Sequence, residues 1–131
     1  MSYSTNDDVY GRFGQGNVRQ WANLDNVGDT GVGATAITTR ITASAVPVQA
    51  LIDAVLRCCP YAVPSVGAAG TCDPLLSDLE ATLRGVWLYD PKGTGERDPE
   101  GNPANILSGL EKKMMERLEQ IRTGRLKIDA V

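Results

Sequence analysis

Residues 37–59 read ITTRITASAVPVQALIDAVLRCC, and the fold turns on that stretch. Ile37, Ile41, Ala45, Val48, Ile52, Val55 and Cys59 recur at spacings of three and four, the repeat of a helix with one buried face. Pro47 interrupts it. A proline inside a helix removes one backbone hydrogen bond and clashes with the preceding turn, at a cost of about 3 kcal/mol. The helix therefore either kinks near Pro47 or begins just before it. Because the apolar stripe keeps its phase across the proline, the spacing predicts one kinked helix over about 37–58.

Toward the N-terminus, Thr5 precedes Asp8 by three positions, as in a capping box with Asp in place of Glu. Asp7 and Asp8 suit the positive end of a helix dipole. Val9, Tyr10 and Phe13 then form an apolar stripe, and Gly14 and Gly16 stop it, which predicts a short helix over 6–13. Asn17 is placed to cap a second short helix carrying Val18, Trp21 and Leu24 and ending near Asn23 or Leu24. The Gly- and Asp-rich stretch Asp25–Thr35 reads as an exposed loop.

Toward the C-terminus, Pro60 and Pro64 bracket an extended Tyr61-Ala62-Val63, and Val66–Thr71 is a Gly/Ala loop. Asp73-Pro74 is a helix start, an N-cap followed by proline at the first helical position. Leu75, Leu76, Leu79, Leu83, Val86 and Trp87 line one face as far as Tyr89. Asp90–Pro103 has no apolar period and reads as a loop. From Asn102-Pro103 the last helix carries Ile106, Leu107, Leu110, Met114, Leu118 and Ile121, and Gly124 is placed to end it. Arg125-Leu126-Lys127-Ile128-Asp129 alternates polar and apolar residues, as a strand does. A lone strand cannot satisfy its own backbone, so its expected partner is another protein's sheet edge.

The expected fold is mainly α: a small helical bundle of three longer and two short helices over residues 1–124, followed by an extended docking tail over 125–131. At 131 residues the chain has the length of one domain. It carries 16 acidic and 13 basic residues, a formal charge of -3, so no basic excess is available to hold nucleic-acid phosphates. Histidine, the usual proton carrier near neutral pH, is absent. No run approaches the roughly 18 apolar residues that span a bilayer. The polar, acidic opening Met1–Asp8 lacks the basic and apolar regions of a secretory signal. Three cysteines, Cys58, Cys59 and Cys72, fit a reducing cytoplasm better than an oxidising compartment.

The chemistry-bearing patterns are sparse. Zinc would need a fourth ligand beside the three cysteines, with Asp73 the nearest donor, and Cys58 and Cys59 are adjacent rather than spaced. Buried or half-buried thiols are the simpler reading. Asp90–Glu96 contains Lys92-Gly93-Thr94, but a phosphate loop needs Gly-Lys-Ser/Thr opening a helix after a strand. The charges Glu111-Lys112-Lys113 and Glu116-Arg117 read as a solvated helix face with Glu–Lys support. Trp21 and Trp87 sit on apolar stripes, as core residues do. No spacing assembles a nucleophile, a base and an oxyanion site. The expectation is of a non-enzyme with no catalytic, metal or cofactor residues.

Four stretches occur in an order that resembles the Mu-like tailed-phage head–tail connector (neck or adaptor) proteins. They are Thr5–Gly14, Leu51-Ile52-Asp53 leading to Pro60–Pro64, Leu88-Tyr89, and the closing Ile121–Ile128. The resemblance spans most of the chain. It implies a structural virion protein assembled in the host cytoplasm, a ring of about twelve subunits at the head–tail junction. There it would join the portal to the stopper or tail-completion protein. The implied portal-docking tail is Arg125, Leu126, Lys127, Ile128, Asp129, Ala130 and Val131. The implied neighbour-contact loops hold Asp25, Asn26, Asp29, Lys92, Glu96, Arg97 and Asp98. Genomic DNA would pass through non-specifically, since a -3 subunit repeated around a ring repels like charge. There would be no cofactor and no membrane.

Two other classes remain as alternatives. A small helical DNA-binding regulator would use the basic residues of the last helix, and a low-salt gel shift with a steep salt slope would mark it. An enzyme would use Asp90–Pro103 as a lid, and turnover sensitive to that loop would mark it.

Overall fold

Eight consecutive residues of one helix, Leu79–Val86, are all buried, and the rest of the chain packs around them. The structure, a computed structural model, describes residues 3–59, 73–93 and 106–127, with side chains for all of these except 90–93 and 106–108. The expected extended stretch 60–64, the loop 66–71, Cys72, the loop residues Glu96, Arg97 and Asp98, the helix start at Asn102-Pro103 and the tail residues Ile128–Val131 lie outside the described residues.

The described elements are helices in the order α1 (Asn6–Phe13), α2 (Gln15–Ala22), α3 (Gly31–Ala43), α4 (Ala45–Arg57), α5 (Pro74–Gly93) and α6 (Ile106–Arg122). Only Ser44 separates α3 from α4, and its own backbone is helical, with φ -61° and ψ -23°. The two are halves of one kinked helix, so the bundle has three long helices and two short ones, mainly α as the sequence implies. The kinked helix begins earlier than its apolar stripe: Gly31–Thr35, expected in a loop, form its first turns, and the loop proper is 23–30. The break falls at Ser44, three residues before Pro47. This puts Pro47 in the first turn of α4, where a backbone N–H has no intrahelical acceptor, and so avoids most of the interior-proline penalty.

The helix ends follow local chemistry. Thr5 and Asp8 form the expected reciprocal capping box: the Thr5 hydroxyl accepts from the Asp8 N–H, and Asp8 accepts from the Thr5 N–H at 2.7 Å. Asn17 does not cap α2. That helix starts two residues earlier, and Gly14, at φ 90°, ends α1 and begins α2 at once. A side chain there would be strained, so the tight α1–α2 corner depends on glycine. Asn17 instead donates back to the Phe13 carbonyl at 2.9 Å. Asp73 caps α5 by accepting from the Leu75 N–H at 2.8 Å, and α5 runs on to Gly93, past the expected end at Tyr89. Gly124, at φ 81°, ends α6.

The core has two halves that share α5. Leu76, Leu79 and Leu83 face α4 and α6, packing with Val48, Ile52, Leu56, Met114, Leu118 and Ile121. Ala81 and Leu88 face α1, α2 and α3, packing with Val9, Val18, Ile37 and Ile41. The sequence stripe marks the first face; the second is a finding of the structure. Trp21 stands edge-on to both Phe13 and Tyr89, with ring centroids 5.4 and 5.3 Å away. Trp87 touches both halves.

Among the described residues there is no strand. Arg125–Lys127, expected at the head of a strand, form a bend beyond the cap. The Leu126 N–H donates to the Gln120 carbonyl at 3.1 Å, and its side chain packs on the α4–α5–α6 core. The first part of the tail thus belongs to this chain's own bundle, because Leu126 gains more from that apolar seam than from exposure.

α1 crosses α5 at Gly85, where an added Cβ would sit 2.0 Å from the Phe13 ring. Gly85→Ala is expected to destabilise the fold by about 1–3 kcal/mol in chemical denaturation. Phe13→Leu should recover part of that loss in the double variant, a non-additivity that independent sites would not show.

Candidate functional site

The seam between the two half-cores holds charge. Glu80 and Arg84 lie one turn apart on α5, at 0% and 1% exposure. Burying such groups costs several kcal/mol each unless they are paired and fully hydrogen-bonded. Glu80 accepts from the Tyr3 N–H at 3.0 Å, the Ser4 N–H at 3.1 Å and the Ser4 hydroxyl at 2.8 Å. Arg84 spreads its guanidinium over the kink. It donates to the Ser44 hydroxyl at 2.9 Å and to the Ile41 carbonyl at 2.9 Å. It also donates to the Ser4 hydroxyl at 3.2 Å and to Asn6 Oδ1. Ser44 itself donates to the Ile41 carbonyl. Burial pulls the Arg84 pKa below its ordinary value, and the field of Glu80 opposes that shift. Tyr3, also buried, donates its phenol to Asp53 of α4.

This network consumes its polar groups internally, so it is a structural centre and not a ligand site. It fixes the N-terminal segment, the kink and α5 relative to one another. Sequence reading missed it, although a signal was present. Between Leu79 and Tyr89 the only charges are Glu80 and Arg84, four apart in an otherwise apolar or small stretch, the pattern of a helix buried on every side.

A second cluster ties down the loop before α3. Arg19 grips Asp29 with two bonds of 2.6 Å and also donates to the Thr38 hydroxyl at 3.0 Å and the Ala34 carbonyl at 3.1 Å. The side-chain hydrogen bond to Arg19 holds the Asp29 carboxyl below its ordinary pKa, and its bond to Asp29 raises that of Arg19. Asp29, an expected neighbour-contact residue, therefore works within the chain. Asp25 is exposed, Asn26 takes a left-handed backbone at φ 52°, and Lys92 lies in the last turn of α5.

What the arrangement leaves outward is one side of α3–α4. Between Thr30 and Leu56 the only charged residues are Arg40 and Asp53. Asp53 is buried, and Arg40 is half-buried with its guanidinium 4.8 Å from the Trp87 ring centre, a cation–π contact. The exposed residues of the ridge are uncharged. Val32 is 88% and Val46 70% exposed. Thr35, Thr38, Thr39, Thr42 and Val46 line an open groove of about 600 Å³ on one flank. Leu24, Val27, Ala36 and Arg40 border another of about 330 Å³. Of the six large apolar side chains most exposed among the described residues, only Met115 lies away from α3–α4 and the loop that leads into it.

The opposite end of the bundle gathers the C-termini of α4 and α6, where Cys59 donates weakly to the Ile121 carbonyl at 3.6 Å. Cys58 and Cys59 are free thiols. Arg57, Arg122, Arg125 and Lys127 are exposed there. Cations suit helix C-termini, and Arg122 is paired with Glu119. No cluster of three or more metal-ligating side chains occurs among the described residues, and no described helix is long and apolar enough to cross a membrane.

Two outcomes follow. Arg84→Met should cost about 3–5 kcal/mol, because it strands the groups that Arg84 satisfies. Arg84→Lys should not restore the loss, since an ammonium cannot span the kink as a planar fork does; urea denaturation of both variants checks this. For Asp29 the folded pKa is depressed, so its stabilisation is present above the unfolded value, near 3.8, and fades as pH falls through the folded one. Asp29→Asn should lower the thermal midpoint at pH 7 and converge with the parent in strong acid.

No protein-family model matches this chain, and no curated protein matches it significantly.

Proposed function

We propose that this chain is a structural adaptor of a tailed-phage neck, a ring-forming subunit between the portal and the stopper or tail-completion protein, and not an enzyme. One observation carries the reading. Ser4, Ser44, Asp53, Glu80 and Arg84, buried polar groups, are spent on holding the fold, while a broad uncharged ridge remains for other proteins.

The residues behind the connector resemblance support it. Thr5 and Asp8 cap α1, Asp53 binds Tyr3, Leu88 is buried against α1–α3, and Gly124 ends α6. Each shapes a helix end or a packing contact, so the shared pattern is one of architecture. The formal charge of -3 gives a ring of about twelve copies a net acidic character, which lets DNA pass without adsorbing. In this reading the portal engages the tail beyond Leu126, and the location is the virion's head–tail junction.

The test removes only what lies past the intrachain anchor. Truncation after Lys127 should keep the helical content and thermal midpoint, because Leu126 remains seated, yet abolish capture by the purified portal ring. Undiminished capture by the truncated chain would count against the adaptor reading.

A further inference from the structure

We propose that Arg40, backed by Trp87, forms a recognition site for a carboxylate, and that its occupant is an aspartate or glutamate side chain of a partner protein. The inference does not rest on the neck reading, and its test needs no portal.

The observation that carries it is a guanidinium left unanswered. Four arginines among the described residues are partly or fully buried: Arg19, Arg40, Arg84 and Arg117. Arg19 holds Asp29, Arg84 holds the kink, and Arg117 holds Asp78. The guanidinium of Arg40 makes no hydrogen bond and no ion pair with any described residue, and its Nε is buried without an acceptor. A folded chain rarely leaves a buried donor unmet, because the hydrogen bond lost to water is not replaced. What the chain does supply is a platform. The guanidinium stands 4.8 Å from the Trp87 ring centre. Such stacking shields one face of the cation and fixes its plane while leaving the donors at its edge unused.

The surroundings select the ligand. Arg40 borders the groove of about 330 Å³ between α2, the 23–30 loop and α3. Asn23 braces the loop side of that groove: it donates to the Val27 carbonyl at 2.7 Å and accepts from the Val27 N–H at 3.0 Å. The groove is therefore formed before anything enters it. A planar guanidinium matches a carboxylate edge to edge, two N–H groups to two oxygens. Arg40 is the one cation lining the groove, and Asp25 lines it too without pairing with Arg40. Phosphate carries nearly twice the charge of a carboxylate, and desolvation cost rises as the square of charge. One arginine facing an aspartate does not offset that, so a singly charged anion fits better.

The rim selects the source. Leu24 and Val27, on the same groove, are 39% and 42% exposed. A small free acid would leave them in water. An acidic side chain carried on a protein brings neighbours that cover them, and an arginine held beside aromatic and apolar groups is characteristic of the residues that carry most binding energy at protein contacts.

A chemical-shift titration of the full chain reads the site through the Arg40 Nε–H and Trp87 indole N–H signals. The probes are a capped Leu-Glu-Leu peptide, acetate and inorganic phosphate, each at constant ionic strength. The peptide should saturate both signals with a dissociation constant of about 10 mM or below, about tenfold tighter than acetate, with phosphate weakest. Arg40→Gln should weaken the peptide by about tenfold or more with unchanged circular dichroism, and Arg40→Lys should not restore it, because an ammonium offers no fork. The exposed Arg12 and Arg57 are internal controls. Unmoved Arg40 and Trp87 signals up to about 100 mM peptide overturn the site. Equal shifts at Arg12 and Arg57 mean an adventitious ion only and overturn it as well. Acetate as tight as the peptide assigns a free acid and overturns the protein source, and phosphate tighter than both overturns the carboxylate. Because the parent titration is resolved residue by residue, these outcomes decide the matter even where Arg40→Gln fails to fold.

Discussion

Everything in this bundle depends on one guanidinium being satisfied in the dark. Arg84 sits at the break between α3 and α4, where it donates to the Ile41 carbonyl and to the Ser44 hydroxyl. It binds the N-terminal segment through Ser4 and Asn6 as well. Glu80, one turn earlier, receives the backbone of that same segment. An apolar side chain in place of Arg84 could fill the space but could not answer three separate pieces of backbone and side chain at once. The two buried charges, each bound to the N-terminal segment, thus fix geometry.

The kink has consequences at a distance. By ending α3 at Ala43 and restarting at Ala45, it allows α4 to join α5 and α6 while α3 stays with α1 and α2. One long helix therefore serves both halves of the core, and its outer side is left uncovered by any described element. The same bend that requires a buried arginine inside exposes Val32 and Val46 outside. The loop that leads into this ridge is secured by Arg19 and Asp29, so the exposed face is presented on a braced support.

The tail shows how local pattern and tertiary context compete. Arg125–Asp129 alternates as a strand would, yet Leu126 finds an apolar seam between α4, α5 and α6 within reach of the Gly124 turn. A helix cap followed by an apolar residue that folds back is a common way to end a helix, and here it overrides the period-two signal for the first residues of the tail. Asn17 is a parallel case. Its type favours an N-cap, but Gly14 already supplies the corner, so the asparagine is used one turn in.

By itself the sequence determined the elements with local causes: the Thr5–Asp8 capping box, the Asp73-Pro74 start, the Gly124 stop, the apolar stripes, and the kink that Pro47 imposes. Each is written in residues a few positions apart, and so is the mainly helical class. Only the tertiary structure decided that the Leu79–Val86 stretch of α5 is buried on all sides, that Glu80 and Arg84 are core residues, that Asp29 is spent on Arg19, and which face of α3–α4 stays outside. Those facts join residues 10 to 80 positions apart. A helical period tells which residues share a face, but not how many of a helix's faces will find a neighbour.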